Sequence, residues 1–163
     1  MSMIANFKSV SPSRLDELKQ KPDTIKDFLY QKDDSTPNDQ IDIDKAWAGI
    51  HFLLTGSNSE GGKPPLAHVI IGGTDIGDDV GYGPARYIEA EEVKQIYDAF
   101  RDISEDELKG RFDPEKMKES KIYPFENSCT DEDLAYLLEN FRSLKDFYRK
   151  TVEQGNAMLQ YLN

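Results

Sequence analysis

Cysteine is almost absent from this chain of 163 residues, since Cys129 is the only one. A single thiol cannot form an internal disulfide, which is typical of a protein that works in a reducing compartment. Histidine is nearly as scarce, because His51 and His68 are the only two, and their spacing matches no zinc-binding pattern. We therefore expect no disulfide framework, no metal site and no bound cofactor.

Long hydrophobic runs are also missing. The longest apolar stretch, near residues 46–54, is too short to span a bilayer. The first residues, MSMIANFKSV, lack the basic start and the apolar core of a secretory signal peptide. The sequence therefore predicts a cytoplasmic protein that does not associate with membranes.

Basic residues are too few to balance the acidic ones. The chain has 20 Lys and Arg against 31 Asp and Glu, which gives a formal net charge of -11. A chain of this charge repels the phosphate backbone, so we expect no nucleic-acid partner. The excess of carboxylates would favour association with a basic protein, but a solvated acidic surface accounts for the same composition without any partner.

The patterns that are present predict an α+β fold. Alternation within residues 3–10 and the terminal AMLQYLN predict strands, whereas most of the chain between them has helical periodicity. Thr130 and Asp133 form a capping-box pattern ahead of apolar residues spaced by three and four, which predicts a helix over 131–154. We predict one domain over residues 1–163. Its small mixed sheet contains both terminal strands and packs against about six helices, one of them long and C-terminal.

Three interior segments stand out. Residues 42–56, DIDKAWAGIHFLLTG, predict a helix that is apolar on all sides, and therefore buried, and that ends at Gly56. Residues 31–40, QKDDSTPNDQ, contain no apolar residue and predict a loop. Residues 72–84, GGTDIGDDVGYGP, contain five glycines and also predict a loop.

Four segments of the chain are similar to a known family. DIDKAWAGIHFLLTG, GYGPARYIEAEEV, KIYP and FYRKTVEQGNAMLQYLN resemble the YfbM-like family, a bacterial family of unknown function. The resemblance runs from the first strand to the last residue. It implies a compact α+β domain from a bacterium, and it brings neither an activity nor catalytic residues.

The 42–56 helix provides the first group of candidate binding residues. His51 lies one turn from Trp47 and about two turns from Asp44, so a nearby carboxylate could tune the imidazole for proton transfer. A buried histidine that bonds a backbone carbonyl is the simpler interpretation. Trp47 is typical of a core, and Asp44 is typical of a helix cap rather than a cation ligand.

The 72–84 segment provides the second group. It contains no Lys or Arg and neither of the glycine patterns of phosphate-binding loops, so we interpret it as a flexible loop, or a lid over a pocket, rather than a phosphate cradle. A metal-binding loop is the less favoured alternative. Arg86 follows it between Tyr82 and Tyr87, and an arginine in this position could clamp a carboxylate or a phosphate. A structural salt bridge is the alternative.

The sequence leaves two functions open, and it does not decide whether the protein is an enzyme. The first is an interaction or accessory module that docks a basic protein, for example as an immunity-like protein. The second is a small-ligand-binding protein or enzyme whose site joins the 42–56 helix, the 72–84 segment and Arg86. No sequence pattern indicates the oligomeric state.

Overall fold

A computed structural model describes residues 2–31 and 39–163. Within these residues there are five strands: β1 (Ala5–Val10), β2 (Gln40–Asp42), β3 (Thr74–Asp79), β4 (Pro84–Ile88) and β5 (Ala157–Leu162). The helices are α1 (Pro12–Gln20), α2 (Ile25–Tyr30), α3 (Trp47–Thr55), α4 (Ala90–Phe100), α5 (Glu105–Arg111), α6 (Pro114–Glu119) and α7 (Asp131–Glu153). Most of the loop predicted at 31–40 lies outside the described residues, and Gln40 belongs to β2, which the sequence did not indicate.

The five strands form one sheet in the order β2-β1-β5-β4-β3. The two terminal strands pair along their whole length, from Ala5 opposite Leu162 to Val10 opposite Ala157. The predicted sheet with both terminal strands is therefore confirmed. All of its strand pairs are antiparallel, so it is not mixed.

Helices cover both faces of the sheet. Because side chains alternate along a strand, Met158 of β5 joins the larger core with α3, α4 and α7, whereas Leu159 joins the smaller core with α1 and α2. Because one core covers each face of the sheet, β1 and β5 are buried along almost their whole length. The predicted α+β architecture is confirmed, with seven α-helices in the described residues where the sequence predicted about six.

Helix α3 is shorter than predicted. Residues 40–42 pair with β1 and residues 44–46 form a 3-10 turn, so the α-helix begins only at Trp47. Its C-terminus was predicted correctly, because Gly56 adopts the left-handed conformation there with a φ of 76°. Most of its residues share a core with α7, and a Cβ at Gly49 would lie 2.6 Å from a methyl group of Leu137. A side chain at Gly49 would therefore require the Leu137 side chain to shift.

The prediction that residues 72–84 form a loop is wrong for half of them. Thr74–Asp79 is an edge strand that pairs with β4, although its glycine and aspartates are disfavoured in strands. Tertiary contacts explain this strand, because Ile76 is buried against the smaller core and a side chain at Gly77 would collide with Ile25. Only residues 80–83 form the turn.

Helix α7 confirms the clearest sequence signal. The hydroxyl of Thr130 accepts a hydrogen bond from the Asp133 backbone, and the Asp133 carboxylate accepts one from the Thr130 backbone. The helix then runs for 23 residues along the larger core. In the described part of the chain, no helix combines the length and the apolar character needed to cross a membrane.

Candidate functional site

A cavity of about 240 Å³ opens where β4 and β5 stop pairing. The last paired residues are Arg86 and Gln160, and two positions further on Pro84 has no N–H to extend the ladder. The turn between β3 and β4 closes one side, and the segment before β3 forms the opposite wall. The lining residues are Ile70, Ile71, Tyr82, Gly83, Pro84, Arg86, Gln160, Tyr161 and Leu162.

Arg86 is the one charged residue in the cavity lining. It lies opposite Asp75 on β3 and opposite Gln160 on β5, so these three residues form a row across one face of the sheet. An Nη atom of Arg86 is 3.4 Å from a carboxylate oxygen of Asp75, and the two side chains are 38% and 57% exposed. This is the only polar contact of the guanidinium to the described residues, so most of its five N–H donors are available.

Gln160 anchors the wall of the cavity from within the core. It is 2% exposed, and its Oε1 accepts a hydrogen bond of 2.8 Å from the Gly72 N–H. Its Nε2 donates to the Val69 carbonyl at 2.9 Å and contacts the Tyr148 hydroxyl at 3.1 Å. Since Tyr148 also donates to the Val69 carbonyl, one amide joins β5, α7 and the 69–72 segment. The Nε2 donors are thus used within the protein, which leaves only the second lone pair of Oε1.

The wall is held close to β4 by glycine. Gly73 has a φ of 72°, and a Cβ there would lie 2.1 Å from the carbonyl oxygen of Tyr87. Only glycine can adopt this conformation in so little space. The 69–72 segment therefore keeps Ile70 and Ile71 against the sheet, where they form the apolar surface of this wall.

The turn over the other side of the cavity is fixed by Asp79. Its carboxylate accepts hydrogen bonds from the N–H groups of Gly81 and Gly83, at 2.6 and 3.3 Å. The Tyr82 N–H donates to the Leu162 carbonyl at 3.0 Å, which ties the turn to β5. The Tyr82 side chain is among the most exposed large hydrophobic groups, so its ring lies at the mouth of the cavity.

His51 does not line this cavity. Its ring is 1% exposed, and Nε2 lies 2.9 Å from the Gly61 carbonyl, which can only accept a hydrogen bond. Nε2 therefore bears the proton, while Nδ1 is buried without a hydrogen-bond partner in the described residues. Burial lowers the pKa of His51, although the carbonyls of Gly61 and Asn58 oppose the shift. The ring is neutral and helps to hold the 57–62 loop against α3.

Asp44 and Trp47 lie away from the cavity as well. The Trp47 indole donates to the Met3 carbonyl at 2.9 Å and packs on Tyr123. Asp44 accepts a 2.7 Å hydrogen bond from the Tyr136 hydroxyl, and that tyrosine accepts one from the Lys45 N–H. Burial, followed by the bond to Asp44, raises the pKa of Tyr136. These contacts join the start of α3 to the segment before β1 and to α7.

Tyr87 is separated from Arg86 by the pleat of β4. Its ring packs with the smaller core, and the Lys19 ammonium lies 4.6 Å from the ring centroid. Of the six residues that the sequence singled out, the structure therefore places only Tyr82 and Arg86 around one cavity. Gln160 was missed, although a glutamine within the apolar AMLQYL strand is an unusual polar position that could have indicated it.

Two further chemical features can be assessed in the described residues. Burial and the Asp133 carboxylate raise the pKa of Cys129 to about 11, so its thiol stays protonated near neutral pH. No group of three or more His, Cys, Asp or Glu side chains within residues 2–31 and 39–163 is arranged to hold a metal ion.

Comparison with known proteins defines the class of this domain. The family described as "Domain of unknown function (DUF1877)" matches residues 1–161, and the chain belongs to that family. Among its relatives, "Protein YfbM" of Escherichia coli (strain K12) is 26% identical over 169 residues, which cover 98% of this chain and 97% of that protein.

A solved structure agrees with this assignment. The chain is similar to "The Crystal Structure of a Protein of Unknown Function YfbM from Escherichia coli", with a TM-score of 0.77 and 25% identity over 98% of this chain and 99% of that one. The resemblance to the YfbM-like family is thus confirmed. No specific function comes with it, because the family and the solved relative are both described as being of unknown function.

Proposed function

We propose that this protein binds a small organic anion in the cavity at Arg86. The observation that supports this proposal is the guanidinium, which has most of its donors unused and lies in a lining that is otherwise mainly apolar and aromatic, with Gln160 as the other polar side chain. Pockets for small molecules typically combine apolar walls with a few placed polar groups. A planar carboxylate matches the fork of an arginine, so an acid with an apolar body fits this lining.

The size of the cavity limits the ligand. A volume of 240 Å³ equals about eight waters at ~30 Å³ each, which corresponds to an organic acid of roughly eight to twelve non-hydrogen atoms. The apolar body of the acid would lie against Ile70, Ile71 and Leu162, and its carboxylate would reach Arg86. The Tyr82 ring at the mouth can cover the bound molecule.

The rigidity of the walls supports a preformed site. The Gln160 amide and the Gly73 backbone fix one wall, and the Asp79 carboxylate fixes the other. A site whose walls are held by bonds independent of the ligand loses little conformational entropy on binding. This property favours a binding pocket over an accidental surface gap.

The proposal is tested by thermal shift and ligand-observed NMR with isocaproate, benzoate and inorganic phosphate. We expect an acid to raise the melting temperature of the native protein by about 3–6 °C at ten times its Kd, which corresponds to about 1.4 kcal/mol. The shift should disappear in Arg86→Gln. It should persist in Arg101→Gln, a matched control in which the arginine lost is also an exposed one beside an aspartate. Equal shifts in both variants, or no shift with any acid, would contradict the proposal.

A second proposal concerns the acidic surface. Ion pairs within the described part of the chain involve ten of the 31 acidic residues, and Asp106 is 94% exposed. A basic protein could dock on exposed carboxylates of this kind in an accessory or immunity-like complex in the bacterial cytoplasm. Many acidic residues are nevertheless explained by their position in the first turn of a helix, as in α5 and α7, where they stabilise the helix dipole. A salt-sensitive partner recovered from host lysate and then identified as basic would support docking, and only neutral or acidic partners would contradict it.

A further inference from the structure

The row of residues that contains Arg86 changes steadily in polarity across the sheet. Phe7 on β1 is opposite Gln160 on the central strand β5, Gln160 is opposite Arg86 on β4, and Arg86 is opposite Asp75 on the edge strand β3. These positions share one face of the sheet and are about 5 Å apart. The row therefore passes from an aromatic ring, through an amide, to a cation and then an anion.

The cation and the anion at the end of this row are only loosely engaged with each other. Their single contact of 3.4 Å is longer than an optimal charge-assisted hydrogen bond. In the described residues the Asp75 carboxylate has no other hydrogen-bond or ion-pair partner. Arg86 lines the cavity, whereas Asp75 lies beside it on the neighbouring strand and is not itself a lining residue. A ligand that binds Arg86 at the edge of the cavity can therefore also reach the Asp75 carboxylate.

We propose that the ligand is a zwitterion of the α-amino acid type with an apolar side chain. This inference rests on the proposed function, which by itself requires only an acid. The ligand carboxylate would bond to Arg86, the ligand ammonium to Asp75, and the side chain would lie on Ile70 and Ile71. The carboxylate of Asp75 beside Arg86 disfavours a phosphate dianion, and the neighbouring Asp78 and Asp79 add to that repulsion.

Three probes with the same isobutyl group separate the contributions of the two charges. L-leucine has both charged groups, isocaproate lacks the ammonium, and isoamylamine lacks the carboxylate. In NMR titrations of the full chain, we expect L-leucine to bind up to about fivefold more tightly than isocaproate, since an exposed ion pair contributes up to ~1 kcal/mol. Isoamylamine, which leaves Arg86 without an anion, should bind most weakly.

The variant Asp75→Asn tests the assignment of the ammonium. It should weaken the binding of L-leucine by up to about fivefold and leave the binding of isocaproate equal or tighter, so that the preference disappears. Asp78→Asn, on the same exposed strand, should keep the preference for L-leucine. A preference retained in Asp75→Asn, or equal binding of L-leucine and isocaproate in the native protein, would overturn the zwitterion assignment while the acid-binding function stands. Failure of both probes to bind, with no Arg86-dependent response to any acid, would overturn both.

Discussion

Replacing Gln160 with methionine tests whether one buried amide holds the wall of the cavity. Methionine has a similar length and fits the same space, but it can neither accept from the Gly72 N–H nor donate to the Val69 carbonyl. The Val69 carbonyl keeps the hydrogen bond from Tyr148, so it remains partnered. The Gly72 N–H is buried and is left without an acceptor.

The expected loss in the free energy of unfolding follows from these contacts. A buried donor without a partner costs about 1–3 kcal/mol, and the loss of the Nε2 bonds adds about 1 kcal/mol. We therefore expect the free energy of unfolding to fall by about 2–4 kcal/mol, and the melting temperature by roughly 4–16 °C. Urea denaturation followed by circular dichroism measures this difference directly.

A matched substitution controls for the change of residue type. Gln95→Met makes the same replacement on the exposed side of α4, where the free energy of unfolding should change by less than about 0.5 kcal/mol. If Gln160→Met also costs less than about 1 kcal/mol, the amide is not the anchor described above. In that case the rigidity of the wall must come from Gly73 and the apolar contacts alone.

Two further predictions concern α3. Burial lowers the pKa of His51 in the folded protein. At a pH below the ordinary histidine pKa near 6.5, His51 therefore binds a proton more readily in the unfolded chain than in the folded one. In urea titrations, the free energy of unfolding of the native protein relative to His51→Gln should therefore be highest above that pH and should fall by at most about 1.4 kcal/mol on going to pH 5.5. A difference between the two proteins that does not change with pH would refute this prediction. The Arg111 guanidinium donates to the Leu53 and Leu54 carbonyls at 3.1 and 3.4 Å and so closes the C-terminal end of the helix. Arg111→Ala should lower the free energy of unfolding by about 1–2 kcal/mol, whereas Lys109→Ala on the same surface should cost less than ~0.5 kcal/mol, and equal losses would show that the cap contributes nothing.

Local signals in the sequence predicted the helices and the terminal strands well. Thr130 with Asp133 forms the predicted capping box, and Gly56 ends α3 as expected, because caps depend only on residues a few positions apart. Strand β3 could not be predicted in this way. Its glycine and aspartates oppose a strand locally, and only its pairing with β4 and the burial of Ile76 stabilise it.

The candidate site was predictable only in part. Tyr82 and Arg86 are four residues apart on one hairpin, so the sequence could place them together. Gln160 joins them through strand pairing with a distant part of the chain, which no local pattern reveals. His51 was correctly described as lying in an apolar helix. Its separation from Arg86 depends on how α3 and the sheet pack, and the sequence does not contain that information in a local form.

The position of β5 has a consequence for how the chain is made. It is the C-terminal strand of the domain, yet it lies in the middle of the sheet between β1 and β4. Until β5 leaves the ribosome, β1 with β2 and β3 with β4 are two separate pairs with no strand between them. A message that ends before Ala157 would release a chain with two unpaired strand edges, which are templates for aggregation. The sheet is thus completed only by the last strand of the domain to be synthesised. Chaperones or proteases that bind unpaired strand edges would therefore distinguish finished from unfinished copies.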